Sequence, residues 1–172
     1  MDNLVLNRFK IDLDEDTKQK CIKDIEEYFV DDDWCKDAPH YQTYPVLFGR
    51  EEEHWEKLRL LFFNAFLTDT GKTPSYMRAW AYVSFVGKPT NVSEGWHKHD
   101  DDSTNKISSV LYLQYEDVKN GTMFICGDVI VMPLIEENTV YLFNSSLIHS
   151  PSTWNHERMK KNRIVLSVDC YF

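Results

Sequence analysis

Glycine is scarce, at six residues in 172. That leaves little room for a glycine-rich loop of the kind that cradles phosphate groups by close backbone approach. Basic side chains are also in deficit, 19 Lys and Arg against 28 Asp and Glu, for a net charge of −9. Proteins that grip nucleic-acid backbones do so through a basic footprint, so nucleic acid is not an expected partner. No apolar run approaches the ~20 residues needed to cross a bilayer, and no membrane partner is expected. Cys21, Cys35, Cys126 and Cys170 form no CxxC pair. The spacing excludes a zinc ribbon or a dithiol redox motif and suits reduced thiols. The first 20 residues carry Asp12, Asp14, Glu15 and Asp16 in place of an apolar leader core. A secretory signal is therefore not expected, and a cytoplasmic location is.

What is present is apolar and aromatic surface. Residues of apolar type make up 42% of the chain and aromatics 14%, enough for a real core at this length without disulfides or a structural metal. Asp12 or Asp14 can cap a helix reaching about residue 29, with Leu13, Cys21, Ile22, Ile25 and Phe29 on one stripe. A second helix is predicted over 51–67 from Trp55, Leu58, Leu61, Phe62, Ala65 and Phe66, closed by Gly71 and Pro74. Glu51, Glu52 and Glu53 read as its solvated first turn. From residue 76 the pattern turns to period two, with strands predicted over 76–86, 91–99, 107–114, 122–132, 139–143 and 163–172. Asn120-Gly121 signals a tight turn, and Gly127-Asp128 a bend or break in its strand. No repeat or low-complexity linker divides the chain. Residues 1–172 thus read as one α+β domain, with 1–75 mainly helical support and 76–172 a β core of sandwich or jelly-roll type.

The six histidines are unevenly placed. His97 and His99 stand two apart at the end of a predicted strand, followed by Asp100 and Asp101. On a continued strand His97, His99 and Asp101 share one face. His149 follows 50 residues after His99, beyond the strand predicted over 139–143. Two imidazoles and a carboxylate on one side of a metal make the facial triad of non-haem Fe(II) oxygenases, which leaves positions open for a cosubstrate and oxygen. His40, His54 and His156 lack partners at ligand spacing and read as surface or packing residues. Trp96 reads as packing beside the metal, whereas Trp80 and Trp154 suit either core or substrate groove.

The order of these motifs resembles the 2-oxoglutarate/Fe(II)-dependent dioxygenases, in particular the prolyl 4-hydroxylase-like group, over residues 76–172. The run is His99-Asp100-Asp101, then Ser108-Ser109-Val110-Leu111-Tyr112-Leu113, then Phe143-Asn144-Ser145-Ser146-Leu147-Ile148-His149, and finally Arg163 opening an apolar strand. The resemblance implies a double-stranded β-helix, a jelly-roll or cupin-like core, with N-terminal supporting helices. It implies Fe(II) held by His99, Asp101 and His149, with His97 close by. The alternative pairing, His97 with His99, stays open because it gives Tyr112 a comfortable spacing. Arg163 would pair with the distal carboxylate of the cosubstrate 2-oxoglutarate, since a guanidinium engages both carboxylate oxygens at once, and Tyr112 would donate to the same group. Arg158 ranks second, as it precedes a polar loop. Val165 stands where relatives commonly carry Ser. The implied activity is hydroxylation of an unactivated C–H bond in a small-molecule or peptide substrate, with release of succinate and CO2. The competing expectation is a cupin-like metal- or sugar-binding module without oxygenase activity, favoured if three histidines bind the metal and Arg163 faces solvent. Oligomeric state is not legible.

Overall fold

Asp14 starts the first helix. Its carboxylate accepts the Thr17 backbone N–H at 2.9 Å and the Thr17 hydroxyl at 2.8 Å, satisfying a donor that the first helical turn leaves orphaned. The computed structural model describes residues 7–30, 40–87, 95–99, 105–152 and 158–172. Helix α1 spans Glu15–Val30 and α2 spans Glu53–Thr70. Gly71 ends α2 in the left-handed conformation at φ 67°, its N–H bonded to the Leu67 carbonyl. The predicted stripes are buried: Cys21, Ile22 and Ile25 on α1, and Trp55, Leu58, Phe62, Ala65 and Phe66 on α2. Glu51, Glu52 and Glu53 are exposed, as a solvated first turn requires.

Both helices pack on one face of the larger of two antiparallel sheets. Its strands are β1 (Asn7–Lys10), β2 (His40–Gln42), β3 (Tyr76–Ser84), β4 (Lys106–Gln114), β7 (Thr139–Asn144) and β9 (Arg163–Tyr171). They lie in the order β1-β7-β4-β9-β3-β2. The smaller sheet is β6-β5-β8, from β5 (Thr122–Cys126), β6 (Val129–Val131) and β8 (His149–Pro151). Because side chains alternate along a strand, β9 serves two environments. Ile164, Leu166, Val168 and Cys170 join the helix-facing core, and burial of each large aliphatic there contributes roughly 1.5–3 kcal/mol. Arg163, Val165, Ser167 and Asp169 point to the other face, where Val110, Tyr112, Phe124 and Phe143 pack between the sheets. Cross-strand register aligns three rows there: Arg78–Asp169–Ser108, Trp80–Ser167–Val110 and Tyr82–Val165–Tyr112.

Four local expectations change. The strand predicted over 122–132 breaks where Gly127-Asp128 signalled it and turns back as a hairpin, β5 and β6, with Cys126 opposite Val129 and Gly127 at φ 62° in the two-residue turn. Asn120 closes a turn by donating its N–H to the Asp117 carbonyl at 2.9 Å, and is itself fully buried. Strands β1, β2 and β8 are additional to those predicted, two of them inside the part expected to be helical. Of the strand predicted over 91–99, residues 91–94 lie outside the described residues, and His97 makes an isolated bridge to His149. Cys21, Cys126 and Cys170 are free thiols; Cys35 lies outside the described residues. Among the described residues no helix is long and apolar enough to cross a membrane.

Candidate metal centre

The bridge between His97 and His149 builds the site. Each donates its backbone N–H to the other's carbonyl at 2.9 Å, the antiparallel pairing in which both side chains leave the same face. His99, two residues on, returns to that face, its own N–H bonded to the Ser145 carbonyl at 2.9 Å. The result is three imidazoles whose ligand atoms all lie within 4.8 Å of one another. Ring centroids are 4.3 Å apart for His97–His149, 4.9 Å for His99–His149 and 5.3 Å for His97–His99.

Hydrogen bonding fixes which nitrogen each ring presents. His97 Nδ1 lies 2.7 Å from the Gly95 carbonyl oxygen and His149 Nδ1 2.8 Å from that of Leu147. A carbonyl only accepts, so both Nδ1 atoms carry the proton and both Nε2 lone pairs remain for a ligand. His99 Nδ1 lies 2.8 Å from Asp169 Oδ1, with the same consequence. Burial pushes the His149 imidazole down to about 3 and depresses His97 as well. Burial alone would raise the Asp169 carboxyl, but hydrogen bonds from His99, Ser108 and Arg78 outweigh it and hold the group low. Imidazoles oriented with Nε2 free are the donor set a divalent transition metal needs, so these residues fit such an ion.

A narrow chamber of about 40 Å³ runs from His97 and His149 to Arg163, walled by Thr122, Val165 and Ser167. Arg163 is 1% exposed. It donates Nε–H to the Asn120 carbonyl and Nη2–H to that of Gly121, the latter at 3.1 Å. Nη1 is buried with no hydrogen-bond partner among the described residues. Burial lowers the guanidinium from its ordinary value. Tyr112 lies under it, ring centroid 5.4 Å from Cζ, and donates its hydroxyl to Thr122 Oγ1 at 2.8 Å. Burial raises the Tyr112 phenol, which keeps it a donor. A second, wider pocket of about 360 Å³ shares His97 and Trp80 with the chamber and continues past His99 to Arg78, Lys98 and Lys106.

The structure therefore brings His97, His99 and His149 together, with Arg163 across the chamber and Tyr112 beneath it. Asp101 lies outside the described residues, as do Trp154 and His156. Arg158 is exposed. His54 pairs with Asp24 at 2.7 Å, and His40 stacks on Tyr82 at 5.2 Å, both packing roles. Trp96 is half-buried, and Trp80 sits 5.1 Å from His99. Sequence reasoning missed Asp169. The available signal was a lone acid two residues beyond Ser167 in an otherwise apolar strand, on the same face as Arg163.

The sequence matches no protein-family model and no curated protein. Solved structures do match the whole sandwich and its helices. A prolyl-4-hydroxylase of Pseudomonas putida superposes with a TM-score of 0.62 at 12% identity, covering 99% of this chain and 94% of that one. The chain has the prolyl-4-hydroxylase fold. A viral collagen prolyl hydroxylase from Paramecium bursaria Chlorella virus-1, solved with 2-oxoglutarate, gives 0.59 at 11% identity over 99% and 98% of the chains. HygX of Streptomyces hygroscopicus, solved with nickel and 2-oxoglutarate, gives 0.65 at 9% identity over 99% and 83%. At such identities the likeness to these structures is one of fold.

Proposed function

We propose that the chain is an Fe(II)- and 2-oxoglutarate-dependent oxygenase that hydroxylates an unactivated C–H bond of a small-molecule or peptide substrate. The observation that carries this reading is Arg163. A buried guanidinium with no counter-ion is costly, and this one makes no ion pair among the described residues while lining a chamber that begins at the His triad. A carboxylate supplied by a ligand completes it. The chamber has room for about three waters, which suits one carboxylate end of a diacid. Thr122 and Ser167 offer hydroxyls on its wall, and Tyr112 steadies Thr122.

His97, His99 and His149 would hold the metal through Nε2. The set of His99, Asp101 and His149 that the resemblance implies is the competing assignment. Fe(II) and 2-oxoglutarate bound there would activate dioxygen, the oxidant, so that one oxygen atom goes to the substrate C–H bond and the other to succinate, with CO2 released. The protein's own part is orientation: the Gly95, Leu147 and Asp169 acceptors lock the rings, Arg163 fixes the diacid, and the walls limit water. The wider pocket beside His99, with Trp80 as its aromatic wall, is where a substrate would reach the metal. The chain's passage between sheets supports a jelly roll: β3, β4, β7 and β9 lie in one, His97, β5, β6 and β8 in the other.

A cupin-like metal-binding module without oxygenase activity has one observation in its favour, a ligand cluster made of three histidines. The burial of Arg163 counts against it. Anaerobic titration with Fe(II) and then 2-oxoglutarate separates the two. The oxygenase develops a weak visible charge-transfer band and, on admitting oxygen, forms succinate. A protein that holds iron but does neither is the module.

A further inference from the structure

Asp169 has no part in the ligand set proposed above, yet it is the most densely engaged carboxylate among the described residues. It is fully buried in the middle of the larger sheet. Its Oδ1 accepts from His99 Nδ1 at 2.8 Å and from the Ser108 hydroxyl at 2.7 Å. Its Oδ2 accepts from Arg78 Nη2 at 3.0 Å and lies 3.8 Å from Lys106 Nζ. Cross-strand register sets this up, since Arg78 on β3 and Ser108 on β4 both stand opposite Asp169 on β9. One oxygen faces cations and the other faces a single imidazole. His97 and His149 are held differently, each by a backbone carbonyl two residues before it.

We propose that Asp169 is a positioning residue for the metal centre: it fixes the tautomer and plane of His99. The inference rests on the reading of the triad as a metal site. A carboxylate on the far nitrogen of a metal-bound imidazole pulls the Nδ1 proton, raises electron density at Nε2 and removes ring rotation. Three neutral imidazoles leave a divalent ion's charge untouched, so an outer carboxylate also supplies negative charge within one residue's reach of the metal. Arg78 and Lys106 anchor the other oxygen of that carboxylate. Ser108 can receive the same Nδ1–H at 3.1 Å while donating to Asp169, which leaves His99 little freedom to turn. The smaller sheet thus brings two ligands, and the larger sheet orients the third.

The test has a reading without any mutation. Long-range 1H–15N spectra of the metal-free wild-type protein should show His99 as the Nδ1–H tautomer; an Nε2–H tautomer overturns the proposal. Zn(II) competition titrations then compare wild type, D169N and S108A, with thermal melts of each metal-free protein alongside. D169N keeps an acceptor oxygen but loses the charge, and about a 10–100-fold loss of Zn(II) affinity is expected. S108A, which leaves the buried charges in place, loses less while keeping the His99 tautomer. Equal affinity in D169N and wild type overturns the role of Asp169 alone. A wild type that takes no Zn(II) overturns the metal reading, and this inference with it. Should D169N fail to fold, the wild-type tautomer and S108A decide.

Discussion

A guanidinium as enclosed as that of Arg163 has exchanged its hydration for two carbonyls and an unbonded nitrogen. Hydrogen bonds to charged groups are worth roughly 1.5–3 kcal/mol net, so a carboxylate completing this set would gain ten- to a hundredfold in affinity. Arg163→Gln should accordingly raise the half-saturating concentration of 2-oxoglutarate at least tenfold, measured by succinate formation, while leaving Zn(II) affinity unchanged. Arg163→Lys should not restore it, because an ammonium cannot keep both backbone carbonyls and fork onto a carboxylate. Equal saturation by wild type and R163Q would remove Arg163 from the cosubstrate site. The ligand set is decided one residue at a time as well. His97 shares its bridge and its open Nε2 with His149, so His97→Ala should lose Zn(II) while Asp101→Ala keeps it within a few fold. The reverse result would assign the metal to His99, Asp101 and His149.

Among the elements, the long ones were legible. A helix or a nine-residue strand repeats its period often enough to be read, and β3, β4 and β9 announced themselves by alternation. Strands β2 and β8 have three residues each, too few to show a period, and they exist because neighbouring strands offer them edges. His149 was readable as a candidate ligand from its motif, but its pairing with His97 was not, since that pairing is made by β8. Asn120-Gly121 shows the same limit, because its turn chemistry was visible and its task was not. Its two carbonyls seat Arg163. Gly121 is needed there for space, as a Cβ would lie 2.8 Å from the Pro133 carbonyl oxygen, and that backbone cannot move aside cheaply. Gly121→Ala should cost about 1–3 kcal/mol of stability by overpacking and weaken 2-oxoglutarate binding by displacing the Arg163 seat. Thermal melts and succinate titration check both effects. A variant with wild-type values in each would show the contact to be slack.

Taken whole, the molecule places one neutral, buried imidazole, His149, inside a strongly acidic protein, and acidification acts on the two in opposite senses. Lowering the pH from 7 titrates the surface towards neutrality and eases the repulsion of a net −9. That surface effect is screened within about 8 Å at physiological salt. His149 is 4% exposed and escapes such screening. Its folded pKa, pushed down to about 3 by burial, lies below the ordinary 6.5 of the unfolded chain. The unfolded state therefore takes up the proton first. Stability is intact above pH 6.5 and drains away as the pH falls from 6.5 towards 3. Two pH units into that window, at pH 4.5, the loss is roughly 2–3 kcal/mol, or about 5–10 °C of melting temperature for a chain of this size. His97 is shifted in the same direction and adds to it. Between pH 6.5 and 4.5 most carboxylates are still ionised, so the histidines dominate the slope there. Melts of the metal-free protein across this range in 0.3 M salt should show the fall, and His149→Leu should flatten much of it. A melting temperature that holds steady or climbs on acidification would mean that the surface charge outweighs the buried His149.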